Sequence, residues 1–361
     1  MTLPTSGNPI KFSEIETEFG GAPNNNIGAY RISAETYGGK SFSSLDTGIP
    51  TGSNPISWSD FHGKKLNVVI DCHADCASNR VNAKTEYTNN NVNCVGSAVL
   101  TSPAATRNAS DSSGHKVFIR VNKTIGSASG AVEMCALRTG SFESGTEVNL
   151  DIGGSGKLIG AGGNGGDGAD GQGVDGSDGL TGNSALGIDY SGTAVIVESG
   201  GSLMCGYGGG GGGGSDNDDD PGADRSAQGG GGGGGAGLPA GEGGERGVWS
   251  ADSDGDHPGT AGEDGSTPAG GEQGGAGGAG GEDGEEAVGG NGGRGGDQEN
   301  AAGAGGDAID DGAEGGAAGG NGAAIRKATD EIAYTFSESG SETGGTANTG
   351  SESGGSHIGV S

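Results

Sequence analysis

Residues 206–237 read GYGGGGGGGSDNDDDPGADRSAQGGGGGGGAG. Two runs of seven glycines, Gly208–Gly214 and Gly229–Gly235, flank fourteen mostly polar residues. Glycine is the most permissive backbone, and a single run reads as a linker. Two matched runs around an acidic insert call for another explanation. Fifteen of the 89 glycines precede Asp151 and 74 follow it, so the chain changes character near that point. About one residue in three is then glycine, against a usual ~7%.

Four readings compete for this glycine. Disorder is the first, because polar, acidic, Gly-rich sequence normally cannot offset its ordering entropy. Collagen is the second, but it needs an unbroken Gly-X-Y repeat with abundant proline. Pro268 and Asp283 stand where glycine belongs, and the chain has ten prolines, so collagen is rejected. A calcium-binding β-roll is the third. GGNGGD (162–167) and GGRGGD (292–297) match the start of its repeat, but Ala169 and Glu299 replace the large apolar residue that builds its core.

The fourth is a bundle of polyproline-II-like glycine helices, with three residues per turn and outward-pointing N–H and C=O groups. Neighbouring helices satisfy those groups, and glycine permits the close approach. This gives a meaning to Gly271, Gly274, Gly277 and Gly280, and to Gly289, Gly292 and Gly295. Inward positions recur every third residue, which leaves one position free for Ala, Asp, Glu or Asn. The two runs are then neighbouring helices of equal length joined by a loop at 215–228. Ordering some seventy glycines costs roughly 1–2 kcal/mol each. Only a dense interchain hydrogen-bond lattice offsets that.

The remainder divides into zones. Residues 1–65 contain an internal repeat, LPTSGNPIKFSEI (3–15) and IPTGSNPISWSDF (49–61). Ser13 with Glu16 predicts a capping box for a short helix stopped by Gly20 and Gly21. Arg31–Gly39 suggests a further helical turn. The zone reads as a small clasp packed on Phe12, Ile15, Trp58 and Phe61, and also as an attachment module. Residues 66–150 carry short β-branched or alternating segments: LNVVID (66–71), KVFIRV (116–121), AVEMCAL (131–137) and EVNLDI (147–152). Gly, Ser and Asn-rich turns between them predict a small antiparallel β domain. The glycine-rich unit spans 151–335, with β-like pieces at 193–199 and 202–208, and 336–361 reads as a polar C-terminal tail. The expected fold class is therefore mostly β and irregular.

Charge and composition exclude several functions. A net charge of −30 and the lack of Lys/Arg clusters argue against nucleic acid and anionic membrane surfaces as partners. No apolar run approaches the ~18 residues of a membrane span, and MTLPTSGNPIKF lacks signal-peptide character. Five cysteines, Cys72, Cys76, Cys94, Cys135 and Cys205, are an odd count for a disulfide framework. DCHADC (71–76) also offers the start of a zinc site, and small buried thiols are the third option. The histidines are scattered, and neither a nucleophile with a base nor an apolar carboxylate pair is evident, so no enzyme is expected.

The stretches ALRTGSFESGTEVNLDIGGSGKLIGAGGNGGDG (136–168) and AVIVESGGSLMCGYGGGGGGG (194–214) resemble the glycine-rich region of phage tail-fibre proteins. They are similar to the receptor-binding adhesins at the fibre tips of T-even phages. NGAAIRKATDEIAYTF (321–336) resembles that family's closing strand. The repeat of 3–15 and 49–61 resembles the N-terminal module of structural proteins of marine tailed phages, cyanophages among them. The resemblance implies a polyglycine-II sandwich carrying variable loops, a virion protein made in the host cytoplasm, attachment to other tail proteins through 1–65, and a host cell-surface receptor, glycan or outer-membrane protein. That family's loops tend to be aromatic, whereas these are acidic. A homotrimer is one expectation, because fibres are often trimeric; a sandwich completed within one chain is the other.

By that logic recognition falls to loops 215–228 and 246–258 and to the turns near 282–288 and 297–302. The candidate receptor-binding residues are Asp216, Asn217, Asp218, Asp219, Asp220, Arg225, Val248 and Trp249. An exposed Trp on a rigid scaffold suits sugar or protein recognition, and a Trp plugging the bundle edge is the alternative. No cofactor is expected, with one candidate exception. Asp252, Asp254, Asp256 and Glu263 stand at calcium-loop positions, although His257 occupies the glycine position and Pro258 follows. The competing roles are a purely structural virion component, such as a head decoration or fibre spacer, and an ice-binding protein, which the acidic third positions disfavour.

Overall fold

The computed structural model describes residues 3–19, 27–30, 35–37, 40–42, 49–50, 53–64, 67–72, 81–89, 112–128, 134–171, 173–217, 226–248, 258–266, 274–283, 287–297, 300–309, 313–329, 331–338 and 341–343.

The first zone begins with helix α1 (Phe12–Phe19). Its N-terminus is capped by Glu14, whose Oε2 accepts the Lys11 N–H at 2.7 Å, and not by the Ser13–Glu16 pair read from the sequence. In the second repeat, Asp60 Oδ2 accepts the Ser57 N–H at 2.7 Å, the equivalent contact at the equivalent position. The repeat is thus structural as well as textual, although its second copy forms only a 3-10 turn, Trp58–Phe61. Phe12 and Trp58, also equivalent, meet edge to face at 5.6 Å. A further 3-10 turn covers Ile27–Tyr30. The helical turn expected at 31–39 is corrected: β1 (Glu35–Tyr37) pairs antiparallel with β2 (Lys40–Phe42).

The second zone is parallel, which corrects the antiparallel expectation. The chain winds through β3 (Asn67–Cys72), β4 (Val81–Asn82), helix α2 (Ala83–Asn89), β5 (Lys116–Val121), β6 (Thr124–Gly126), β7 (Cys135–Arg138), β8 (Glu147–Ile152), β9 (Lys157–Ile159), β10 (Ser184–Ile188), β11 (Thr193–Val197) and β12 (Ser202–Met204). Beyond β12 the chain forms two short ribbons, β13 (Asp216–Asn217) with β14 (Ser226–Ala227) and β15 (Glu282–Asp283) with β16 (Ala287–Val288). It returns for β17 (Ile325–Lys327), β18 (Tyr334–Glu338) and β19 (Ser341–Thr343). Three sheets result, ordered β17-β10-β7-β4, β18-β11-β8-β5-β3 and β19-β12-β9-β6. From β4 onward each turn of the chain visits the three in succession, so the strands form a three-sided parallel solenoid. The Gly, Ser and Asn-rich turns pass the chain on to the next sheet instead of folding it back. The last turn takes in residues read from the sequence as part of a polar tail.

Apolar ladders set the register. Ile70, Ile119, Leu150 and Val195 stack along one sheet, and Val68, Val117 and Val148 run beside them. Ile125, Leu158 and Leu203 stack along another. These side chains share one buried core with Leu3, Ile15, Tyr30 and Phe61, so the N-terminal clasp packs onto the solenoid. Parallel strands buried this way read as short apolar runs. Each buried Leu or Val contributes about 1.5–3 kcal/mol.

Both glycine-rich excursions leave and rejoin the solenoid at one corner, between β9 and β10 and between β12 and β17. Their spans carry neither helix nor strand, and their main-chain hydrogen bonds recur every third residue. Gly162, Gly165 and Gly168 donate to Pro239, Glu242 and Glu245; Gly163, Gly166 and Ala169 donate to Tyr207, Gly210 and Gly213. Followed through, the bonds define three layers. Spans 241–247, 162–169 and 176–183 form one face, and 274–281, 289–296 and 302–308 form the other. Between them lie 259–265, 229–236, 206–214 and 313–322.

The two all-glycine runs sit at the centre of this middle layer, antiparallel to each other through Gly210 N–H to Gly233 O and Gly213 N–H to Gly230 O, both 2.8 Å. Span 206–214 bonds to six spans: 163–169, 177–183, 230–236, 290–296, 303–306 and 316–322. A span with neighbours on every side has no direction left for a side chain. A Cβ at Gly211 would overlap the Gly316 carbonyl, and one at Gly212 the Asp167 carbonyl. Among the described residues, the buried apolar cluster outside the solenoid is confined to Cys205, Tyr207 and Ala236, where the lattice joins it. Both central runs complete their neighbourhoods within one chain.

Candidate functional site

Successive spans alternate in direction, away from the solenoid and back. The roots of loops 170–175, 215–228, 248–258, 282–288 and 309–312 therefore gather at the remote end of the lattice. The turns after 236, 265 and 296 lie at the solenoid end. This moves one of the expected recognition turns: 297–302 closes at the solenoid end. There Asp297 is buried, pairs with Arg294 at 2.5 Å and accepts the Asn300 N–H at 2.8 Å. Loops 170–175 and 309–312 were not singled out in the sequence. The signal for both was parity, since each outward span needs a loop before the next inward one.

The loop roots at the remote end are tied to one another. Ser215 N–H donates to Val174 O at 3.0 Å, and Val174 N–H donates to Ser215 Oγ at 2.9 Å. Gly171 N–H donates to Gln228 Oε1 at 3.0 Å, and Val248 N–H to Asp170 Oδ1 at 2.5 Å. Ser215, Asp216, Ala227 and Gln228 are buried. Asp216, a candidate for receptor contact, is thus enclosed. Its Oδ2 accepts the Val288 N–H at 2.9 Å and joins loop 215–228 to loop 282–288. Asn217 pairs with Ser226 in the ribbon at the loop base. Val248 is 46% exposed, Val174 43% and Ile309 67%, so large aliphatic side chains from three loops face solvent at this end.

The other sequence candidates divide clearly. Asp218, Asp219, Asp220, Arg225, Trp249, Asp252, Asp254 and Asp256 lie outside the described residues. Glu263 lies within span 259–265, where its N–H bonds to Ala276 O and its carbonyl to Gly234 N–H. Its position is therefore set by the lattice and not by the loop that holds the three aspartates. Among the described residues no group of three or more His, Cys, Asp or Glu is placed to hold a metal. Cys72, Cys135 and Cys205 are buried, and burial pushes the Cys72 thiol up; Cys76 and Cys94 lie outside the described residues. No helix among the described residues is long and apolar enough to cross a membrane.

A family model described as phage tail fibre adhesin Gp38 matches residues 80–347. The chain belongs to that family. This adhesin is accordingly a component of a virion tail. The matched span begins at the first complete turn of the solenoid and ends after its last strand, so it takes in the lattice and its loops. Among solved structures, the adhesin is similar to the gp37-gp38 adhesin tip complex of the bacteriophage S16 long tail fiber, with 18% identity, a TM-score of 0.39, and coverage of 82% of this chain and 89% of that one. No curated protein matches it.

Proposed function

We propose that this adhesin attaches a phage to its host by binding a cell-surface receptor through the five remote loops, without catalysis. The lattice serves as a polyglycine-II sandwich, stiff because its spans are bonded to their neighbours at three-residue intervals. One observation carries the reading: loop roots that are buried and mutually hydrogen-bonded present exposed Val174, Val248 and Ile309 at one end. Rigid roots lower the ordering cost of binding, and apolar groups brought to one end suit a recognition surface. In this reading Asp216 positions its loop, while Asp218, Asp219, Asp220, Arg225 and Trp249 supply contacts. Residues 1–65 join other tail proteins, with half-exposed Trp58 as the natural anchor.

The test is competition for adsorption. Purified full-length adhesin should block phage attachment to host cells. Val248→Asp and Ile309→Asp should abolish the block while leaving the melting temperature unchanged. A fibre spacer or head decoration would neither compete nor respond to those changes, and that result would refute the receptor reading.

A further inference from the structure

The sequence holds three Asn-Gly steps: Asn164-Gly165, Asn291-Gly292 and Asn321-Gly322. Asn-Gly is chemically vulnerable, because a glycine nitrogen, unhindered by a following Cβ, can attack the asparagine amide carbon. All three steps lie in the lattice, and each is held at both reacting groups, the first by a single residue and the other two by residues two apart. Asn164 Oδ1 accepts the Glu242 N–H at 3.1 Å, while Gly165 N–H donates to Glu242 O at 2.8 Å. Asn291 Oδ1 accepts the Gly280 N–H at 2.9 Å, while Gly292 N–H donates to Gly278 O at 2.9 Å. Asn321 Oδ1 accepts the Gly208 N–H at 3.1 Å, while Gly322 N–H donates to Gly206 O at 2.8 Å. The side chain and the nucleophilic nitrogen are each held by a neighbouring span. Asp-Gly steps use the same clamp: Asp167 Oδ1 accepts the Glu245 N–H at 2.8 Å and Gly168 N–H donates to Glu245 O at 2.9 Å.

We propose that Asn164, Asn291 and Asn321 are deamidation sites gated by the lattice, closed while the spans are docked and open once a span separates. In the reaction the glycine nitrogen gives its proton to solvent and bonds to the asparagine Cγ. The Cγ–Nδ2 bond breaks, the amide nitrogen takes a proton from solvent and leaves as ammonia, and a succinimide forms. Water then opens the ring at one carbonyl to give aspartate or at the other to give isoaspartate, with no oxidation or reduction. Closing the ring requires both clamping bonds to be surrendered. The aspartate product keeps its Oδ acceptor and can clamp again. Isoaspartate adds a main-chain carbon and throws the following residues out of three-residue register. Separation of a span thus leaves a permanent chemical record. This inference does not depend on the receptor reading.

The experiment follows mass gain at each asparagine by peptide mass spectrometry. Full-length protein is held at mildly alkaline pH, native or unfolded in guanidinium. The two bonds of the clamp should slow all three sites roughly thirtyfold in the native chain. Equal rates in the two states would overturn the proposal. Glu242→Pro sharpens the test. Proline fits the polyproline-II backbone but lacks the N–H that Asn164 accepts. Asn164 should then deamidate faster while Asn291 and Asn321 keep their native rates. An unchanged Asn164 rate in a variant whose other two sites stay slow would show that the side-chain half of the clamp has no effect, and would overturn the gate as described.

Discussion

Leu150 and Gly211 lie at the centres of two different kinds of interior. Leu150 stacks between Ile119 and Val195 in the solenoid, and its main chain bonds within one sheet. Gly211 has no side chain, and its main chain donates to Gly303 and accepts from Gly293, in two separate spans. The solenoid excludes water with side chains and needs the backbone only to hold strands in register. The lattice excludes water with backbone alone. Tolerance to substitution should therefore be reversed: the solenoid suffers when a residue shrinks and the lattice suffers when one grows.

The largest effect expected is for Leu150→Ala, which should destabilise the solenoid by about 2–5 kcal/mol through lost burial and a residual cavity. Thermal unfolding checks it. Gly211→Ala, a change that would be mild in most helices, should cost about 3 kcal/mol, because the added methyl meets a carbonyl that cannot turn aside. Amide exchange should show the loss across 206–214 and its neighbours, with the solenoid amides unaffected. An undiminished melting temperature for Gly211→Ala would break the comparison outright.

A smaller effect separates the regions by pH. Burial pushes the Glu86 carboxyl from 4.5 up to about 7. The folded state therefore favours the protonated acid. That stabilisation is complete below about 4.5 and is lost as pH rises through 7. Glu86→Gln should flatten this part of the stability profile and melt higher than the parent at pH 8. Glu143 acts in the opposite sense. Burial pushes its carboxyl up, but hydrogen bonds from Lys84 and Ser112 outweigh this and hold it near 2. Its stabilisation is present above about 4.5 and fades as pH falls toward 2. The smallest effect should come from Glu245→Ala, an exposed third position of the lattice, which should change stability by no more than about 0.5 kcal/mol.

What the sequence disclosed follows the same division. Glycine at every third position carries the geometry of the lattice, since no other residue fits where six spans meet. The seven-residue runs mark the two innermost spans for that reason. The solenoid was half legible. Segments such as KVFIRV and EVNLDI are apolar enough to mark strands, but a turn of Gly, Ser and Asn looks alike whether it reverses a strand or hands it to the next sheet. The ladder Ile70, Ile119, Leu150 and Val195 is visible only once the register is known. At the remote end, acidity drew attention to Asp216, whose burial comes from a partner loop some seventy residues further along the chain, at Val288. Exposed Ile309 gave no local cue.

Both excursions depart from and return to one corner of the solenoid, which bears on how such tips can diversify. A new span cannot be added singly, because the chain would be stranded far from the strand it must rejoin. It can be added as an out-and-back pair, which brings one new loop and returns the chain to its starting point. Lineages built on this plan can gain or discard recognition elements two spans at a time, leaving the coil beneath undisturbed.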